Sequence, residues 1–152
     1  MSGIDETRVA SYLPPPAVDL FLSMPYYDQQ HALSVLATLR RQGYDAPDLM
    51  AAALLHDVGK SVSPAGRPRL WHRVATVLGQ AFWPGLLERL SEENSGRGWR
   101  QPFYIQKHHA TLGAQLAQEA GCSPVTVSLI RNHEEPGSQI DDPWLAALRA
   151  AD

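Results

Sequence analysis

The stretch "DAPDLMAAALLHDVGK", residues 45–60, decides how the rest of the chain is read. Pro47 stands near the first position of a helix, where its missing N–H costs nothing. The run from Leu49 to Leu55 is apolar without a break, and its alanines let other helices approach closely. The spacing predicts a central helix that closes at Gly59. Its end carries His56 and Asp57. A buried ionised carboxylate costs several kcal/mol unless something pairs with it. Neighbours on a helix point about 100° apart, so these two do not pair with each other. Either they face water, or they converge on something cationic beyond the helix end.

Outward from this segment the period is helical nearly everywhere, with no convincing alternating strand. "PPPAVDLFLSMP" (14–25) predicts a short helix over about 15–23, closed by Pro25. "DQQHALSVLATLRRQG" (28–43) takes Asp28 as its N-cap and ends at Gly43, with an apolar stripe of Ala32, Leu33, Val35, Leu36 and Leu39. "KSVSPAGRPR" (60–69) reads as a loop. Two helices follow over 70–82 and 84–93, divided at Pro84, then a loop at 94–99. "PFYIQKHHATLGAQLAQEAG" (102–121) is a long helix ending near Gly121. "SPVTVSLIRNHEE" (123–135) has Ser123 as cap and Pro124 in the first turn, although its β-branched residues would also suit a strand. "DDPWLAALRAAD" (141–152) repeats that logic with Asp142 and Pro143. The expectation is an all-α bundle of six or seven helices forming a single domain over 1–152. Residues 1–16 would be a loosely ordered lead-in.

The composition narrows the function classes. At 152 residues, 44% hydrophobic and 19% charged, the chain suits an ordinary soluble domain with one core. A formal net charge of −3 argues against a general nucleic-acid or membrane-surface binder. The lone Cys122 can form no internal disulfide, and no cysteine cluster exists to hold zinc. With no signal-like or bilayer-spanning run, a reducing cytoplasm is the expected setting.

The histidines carry the chemistry. His31 lies among apolar helix positions and taken alone suits a satisfied core or surface residue. His56 beside Asp57 makes sense where metal ions supply positive charge, because an Asp has two oxygens and can bridge two cations while the His binds one. His109 sits in the long helix with Gly113 one turn on, where another helix could come close. His133 ends the next helix and Asp152 the last. Each candidate thus comes from a different helix. Imidazole and carboxylate together suit iron, manganese, cobalt or zinc better than magnesium. No two of these histidines show the short i, i+4 spacing of a zinc helix.

"HDVGK" (56–60) on an all-helical chain, with a His 25 positions earlier and an Asp at a later helix end, resembles the HD-domain superfamily of metal-dependent phosphohydrolases. The resemblance runs from about His31 to Asp152. It implies His31, His56, Asp57 and Asp152 as the ligands of a one-metal site. It adds His109, in "HATLGAQL", and His133, in "IRNHEE", as the extra ligands of the two-metal branch. The tail after His109 looks like the HD-GYP branch, yet "NHEEPGSQ" (132–139) stands where that branch has a second His and a Gly-Tyr-Pro signature. The resemblance therefore stops short of cyclic-dinucleotide hydrolysis.

What such a site implies is hydrolysis of a small phosphoester or nucleotide by a metal-activated water, needing one or two divalent transition-metal ions and no Ser or Cys nucleophile. Asp57 would bridge the ions and, with Lys60, take part in catalysis. Lys60, one turn past His56, could reach a substrate phosphate as a point charge. Arg67, Arg69 and Arg73 form a local basic cluster, readable as an anion-attracting rim or as a solvated loop. Arg131 and Lys107 are further cations beside candidate ligands. Tyr26, Tyr27 and Asp28 precede His31 and could line the pocket, or serve as partly buried aromatics and a cap. His72 reads as surface or packing; His108 reads as a neighbour of His109 pointing elsewhere. The four Trp read as core, with Trp99 a possible pocket wall. Two other readings use the same residues. One is an HD-like di-iron oxygenase cleaving a C–C or C–P bond with the same four His and two Asp. The other is a degenerate module binding a nucleotide or a partner helix. A further helix would be expected after Asp152 to cover the core.

Overall fold

The computed structural model describes residues 4–61, 101–134 and 142–152, the stretch 101–108 by its backbone alone. The protein is all-α. The described residues form seven α-helices: α1 (Glu6–Ala10), α2 (Pro15–Ser23), α3 (Tyr26–Arg41), α4 (Pro47–Leu55), α5 (Gln101–Glu119), α6 (Pro124–Asn132) and α7 (Pro143–Ala151). A 3₁₀ turn, Val58–Ser61, follows α4. The helices expected over 70–93 lie outside the described residues. So do His72, Arg67, Arg69, Arg73 and Trp99, and the side chains of Lys107 and His108.

α4 is the centre, as its composition requires. Every residue from Leu49 to Gly59 is buried. A helix that is apolar all round must be covered all round, and α3, α6 and α7 all pack on α4. The stripe of α3, with Ala32, Val35, Leu36 and Leu39 fully or almost fully buried, faces the same core as Leu49, Met50 and Leu54.

Most helix ends follow local chemistry. Gly43 and Gly121 adopt φ +90° and +86°. At each, the next N–H bonds back into the helix, Tyr44 to the Leu39 carbonyl and Cys122 to the Ala117 carbonyl. Ser123 caps α6 by accepting from the Thr126 N–H, and Asp142 caps α7 by accepting from the Trp144 N–H. The stretch "SPVTVSLI", equally suited to a strand, is helical; this cap and Pro124 at its start decide it.

Three details differ from the sequence reading. Asp28 is not an N-cap: α3 begins two residues earlier, after Pro25, and Asp28 sits in its first turn. Gln29 does the joining instead, donating from Nε2 to the Leu22 and Met24 carbonyls at the end of α2. Gly59 does not close α4 in a left-handed conformation. It lies inside the 3₁₀ turn, without positive φ, and is glycine because α5 passes against it. Part of the expected lead-in carries a helix, α1, capped by Asp5, with Val9 and Leu13 buried in the core.

The starts of α4 and α6 are tied together. Ser123 Oγ donates to Asp48 Oδ1 at 2.6 Å, and Thr126 Oγ1 donates to the Asp48 carbonyl at 3.0 Å. Both helices have nine residues, so they run side by side and finish level.

Candidate metal centre

The site is assembled from helix ends. His56 is the C-cap of α4, His133 of α6 and Asp152 of α7. Each of these helices is nine residues long and opens on a proline. Helix C-termini carry partial negative charge, so three of them converging favour a cation. Asp57 follows His56. His31 comes from α3 and His109 from α5.

The four imidazoles form a row. Ring centroids are 5.4 Å apart for His31 and His56, 5.3 Å for His56 and His133, and 5.6 Å for His133 and His109. The donor atoms fall into two triads, His31–His56–Asp152 and Asp57–His109–His133, each within 4.8 Å of one another. Asp57 faces both. Its Oδ2 lies 3.6 Å from His56 Nε2, while its Oδ1 lies 3.7 Å from His109 Nε2 and 3.9 Å from His133 Nε2. In the first triad Asp152 Oδ1 sits 2.8 Å from His31 Nε2 and 3.3 Å from His56 Nε2.

The tautomers are set from behind. His56 Nδ1 lies 2.8 Å from the Ala53 carbonyl and His133 Nδ1 2.6 Å from the Ile130 carbonyl. A carbonyl only accepts, so each Nδ1 carries the proton and donates. In the neutral ring Nε2 then keeps its lone pair and points it into the site. Both Nε2 atoms are buried; that of His133 finds no hydrogen-bond partner among the described residues, and that of His56 has only the Asp152 carboxylate at 3.3 Å, without a well-formed hydrogen bond. A buried polar atom without a partner is costly, and a divalent ion would relieve both. Backbone hydrogen bonds behind metal-facing imidazoles are the usual means of fixing them. The donor set therefore fits a transition-metal ion.

Electrostatics divides the row. Burial pushes the His133 imidazole below its ordinary value of 6.5, which keeps it neutral. Burial would do the same to His56, but the Asp152 and Asp57 carboxylates outweigh it and raise His56 above 6.5. The His56 contact holds Asp152 well below the usual carboxylate range, against its partial burial. Lys60 Nζ lies 2.8 Å from Asp57 Oδ1, and that contact raises the ammonium above its usual value although burial opposes it. The end of α6 has its own support: Arg149 of α7 donates from Nε to the His133 carbonyl at 3.0 Å and from Nη2 to the Asn132 carbonyl at 2.6 Å.

All six expected ligands, His31, His56, Asp57, His109, His133 and Asp152, thus meet, and Lys60 stands beside them. Arg131 does not join them. Two residues before His133, it lies about 200° round the helix and is exposed. Tyr26 and Tyr27 are 63% and 81% exposed rather than partly buried. Two residues at the site escaped the sequence reading. Glu134 Oε2 lies 3.3 Å from His109 Nε2, and only its adjacency to His133 hinted at it. Arg149, three residues before Asp152, gave no local sign of its carbonyl contacts.

No curated protein and no solved structure matches the chain. A family model, the HD domain, matches residues 29–152. Its span takes in the whole row of imidazoles and both triads, from the helix that bears His31 to the carboxylate at residue 152, and on that match the chain belongs to the HD-domain superfamily.

Proposed function

We propose that this protein hydrolyses a small phosphoester, a nucleotide among the candidates, at a centre of two divalent transition-metal ions. The observation that carries the reading is Asp57: one carboxylate whose two oxygens face two separate triads. That is the arrangement of a bridging ligand. Divalent ions, when bound there, supply an acidified water and polarise the phosphoryl oxygens.

The chain's own residues do the rest. His31, His56 and Asp152 hold one ion; Asp57, His109 and His133 hold the other. The Ala53 and Ile130 carbonyls keep two imidazoles aimed with their lone pairs inward. Lys60 places a fixed ammonium at the edge of the second triad, 39% exposed, where an anionic ester can meet it. Its position beside the bridging carboxylate suits a substrate with an anionic phosphoryl group. Arg67 and Arg69 are proposed to extend this positive rim.

The test is elemental analysis of the aerobically purified protein, joined to a screen of phosphoesters with added Mn²⁺, Fe²⁺ or Co²⁺, reading phosphate release against oxygen uptake. His56→Ala and Asp57→Ala are expected to lose metal and phosphate release together. Retention of full metal content by both variants would defeat the site, and oxygen uptake without phosphate release would defeat the reaction.

A further inference from the structure

The two triads differ in one respect. His31–His56–Asp152 has a terminal carboxylate of its own, with Asp57 Oδ2 as its shared one. Among the described residues, the grouping Asp57–His109–His133 has only the other oxygen of the shared carboxylate. Two dications bring four positive charges, and Asp57 and Asp152 return two. Lys60 adds another positive charge on the side of the second triad. Charge collected in a buried place without compensation is costly, and the shortage falls on that second half.

Glu134 stands where the missing carboxylate is wanted. Its Oε2 lies 3.3 Å from His109 Nε2, the distance that separates Asp152 Oδ1 from His56 Nε2 in the first half. The pairings match in burial too. His56 and His109 have fully buried side chains, while Asp152 and Glu134 are 28% and 43% exposed. Delivery is local: Glu134 is the residue after His133, carried by the turn that ends α6.

We propose that Glu134 is a seventh donor, the terminal carboxylate of the Asp57–His109–His133 half. With it the halves carry the same donor types, although among the described residues Glu134 touches His109 alone, whereas Asp152 is grouped with both His31 and His56. Each has two imidazoles, one carboxylate of its own and one oxygen of Asp57. This rests on the two-ion reading above, and the experiment separates the two claims.

Metal-free protein is titrated with Mn²⁺ by calorimetry and with Co²⁺ by visible absorption, comparing wild type, Glu134→Gln and Asp152→Asn. Glu134→Gln changes one partly exposed side chain to its isostere, and an unchanged melting temperature without metal confirms the fold. The expected result is two ions in the wild type. Glu134→Gln keeps one at wild-type affinity and binds the other at least about tenfold more weakly, since even losing a partner behind a ligand costs about tenfold to a hundredfold. Its Co²⁺ spectrum changes for one ion only. Asp152→Asn weakens the opposite half. Two ions at wild-type affinity in Glu134→Gln, with an unaltered Co²⁺ spectrum, overturn the assignment of Glu134 alone and leave the two-ion centre standing. A wild type that takes up one ion or none overturns the two-ion reading and Glu134 with it.

Discussion

Gly59→Ala tests how the second half of the site is built. A Cβ on Gly59 would lie 1.9 Å from the His109 carbonyl oxygen, 2.7 Å from its carbon and 2.9 Å from the Gly113 N. All three are backbone atoms, so no side chain can turn aside. Contacts under 3.0 Å are essentially never seen, so the 3₁₀ turn and α5 must separate by at least the difference, about 1.1 Å. Overpacking of this kind costs about 1–3 kcal/mol, and rigid neighbours put this case at the upper end. For a chain of this size that lowers the melting temperature by roughly 6–12 °C. The functional effect is more specific. Two donors at about 2.1 Å from one ion can be no more than about 4.2 Å apart. His109 Nε2 and Asp57 Oδ1, at 3.7 Å, satisfy that; separated by the extra displacement along their line, they do not. Gly59→Ala should therefore lose the ion held by Asp57, His109 and His133 and keep the one held by His31, His56 and Asp152. The assay is thermal melting without metal, followed by Mn²⁺ titration. Gly43→Ala is the control. Its Cβ meets nothing within 4 Å, but φ is +90°, so it should lose stability while binding both ions. A Gly59→Ala protein with wild-type melting and two bound ions would refute the claim that this crossing sets the second half.

Two further outcomes follow from the geometry. His56, raised above 6.5 by Asp152 and Asp57 against its burial, contributes stability that is complete below 6.5 and is lost as pH rises through the raised value. Asp152, lowered by His56, contributes above its ordinary 3.8 and loses that as pH falls through the lowered value. Without metal the pair should support the fold best between about pH 4 and 6.5, visible as a plateau in melting temperature. Since an ion needs neutral His56, metal affinity should rise with pH across that upper limit and release protons; affinity flat from about pH 5.5 to 8 speaks against it. Arg149→Gln removes a charged donor from two carbonyls at the end of α6. It should cost about 1.5–3 kcal/mol and weaken the ion bound by His133, as seen by melting and Mn²⁺ titration, and an unchanged melting temperature would rule out the clamp.

What the sequence makes legible is what neighbours along the chain decide. Pro47, Pro124 and Pro143 mark helix starts because a missing N–H is harmless only there, and Ser123 and Asp142 cap through atoms two or three residues on. His56 and Asp57 announce a cation because charge at the end of an apolar run needs a reason. Contacts across the fold are another matter. Gly59 looks like a helix stop, yet its reason is the backbone of His109, 50 positions away. Glu134 meets His109 across 25 positions, and Arg149 meets His133 across 16. No local spacing encodes either. Asp28 fails as a cap because α3 already begins at Tyr26, after Pro25, which leaves Asp28 inside the first turn.

The site depends on helix length as much as on residue type. Pro47 to His56, Pro124 to His133 and Pro143 to Asp152 are the same nine steps. Nine residues rise about 13 Å. Asp48 and Ser123 bind the starts of α4 and α6 at one level, so equal length brings His56 and His133 to one level at the other end. Arg149 then fixes α7 to the end of α6, which sets Asp152 three residues later against His31 and His56. Each step is a hydrogen bond involving a charged group, worth about 1.5–3 kcal/mol. Their product is a position, because a change of one residue in any of these helices would turn its site residue by about 100° and shift it by about 1.5 Å. The polar ties at the far ends of the helices are therefore part of the centre's geometry, although none of those residues touches it.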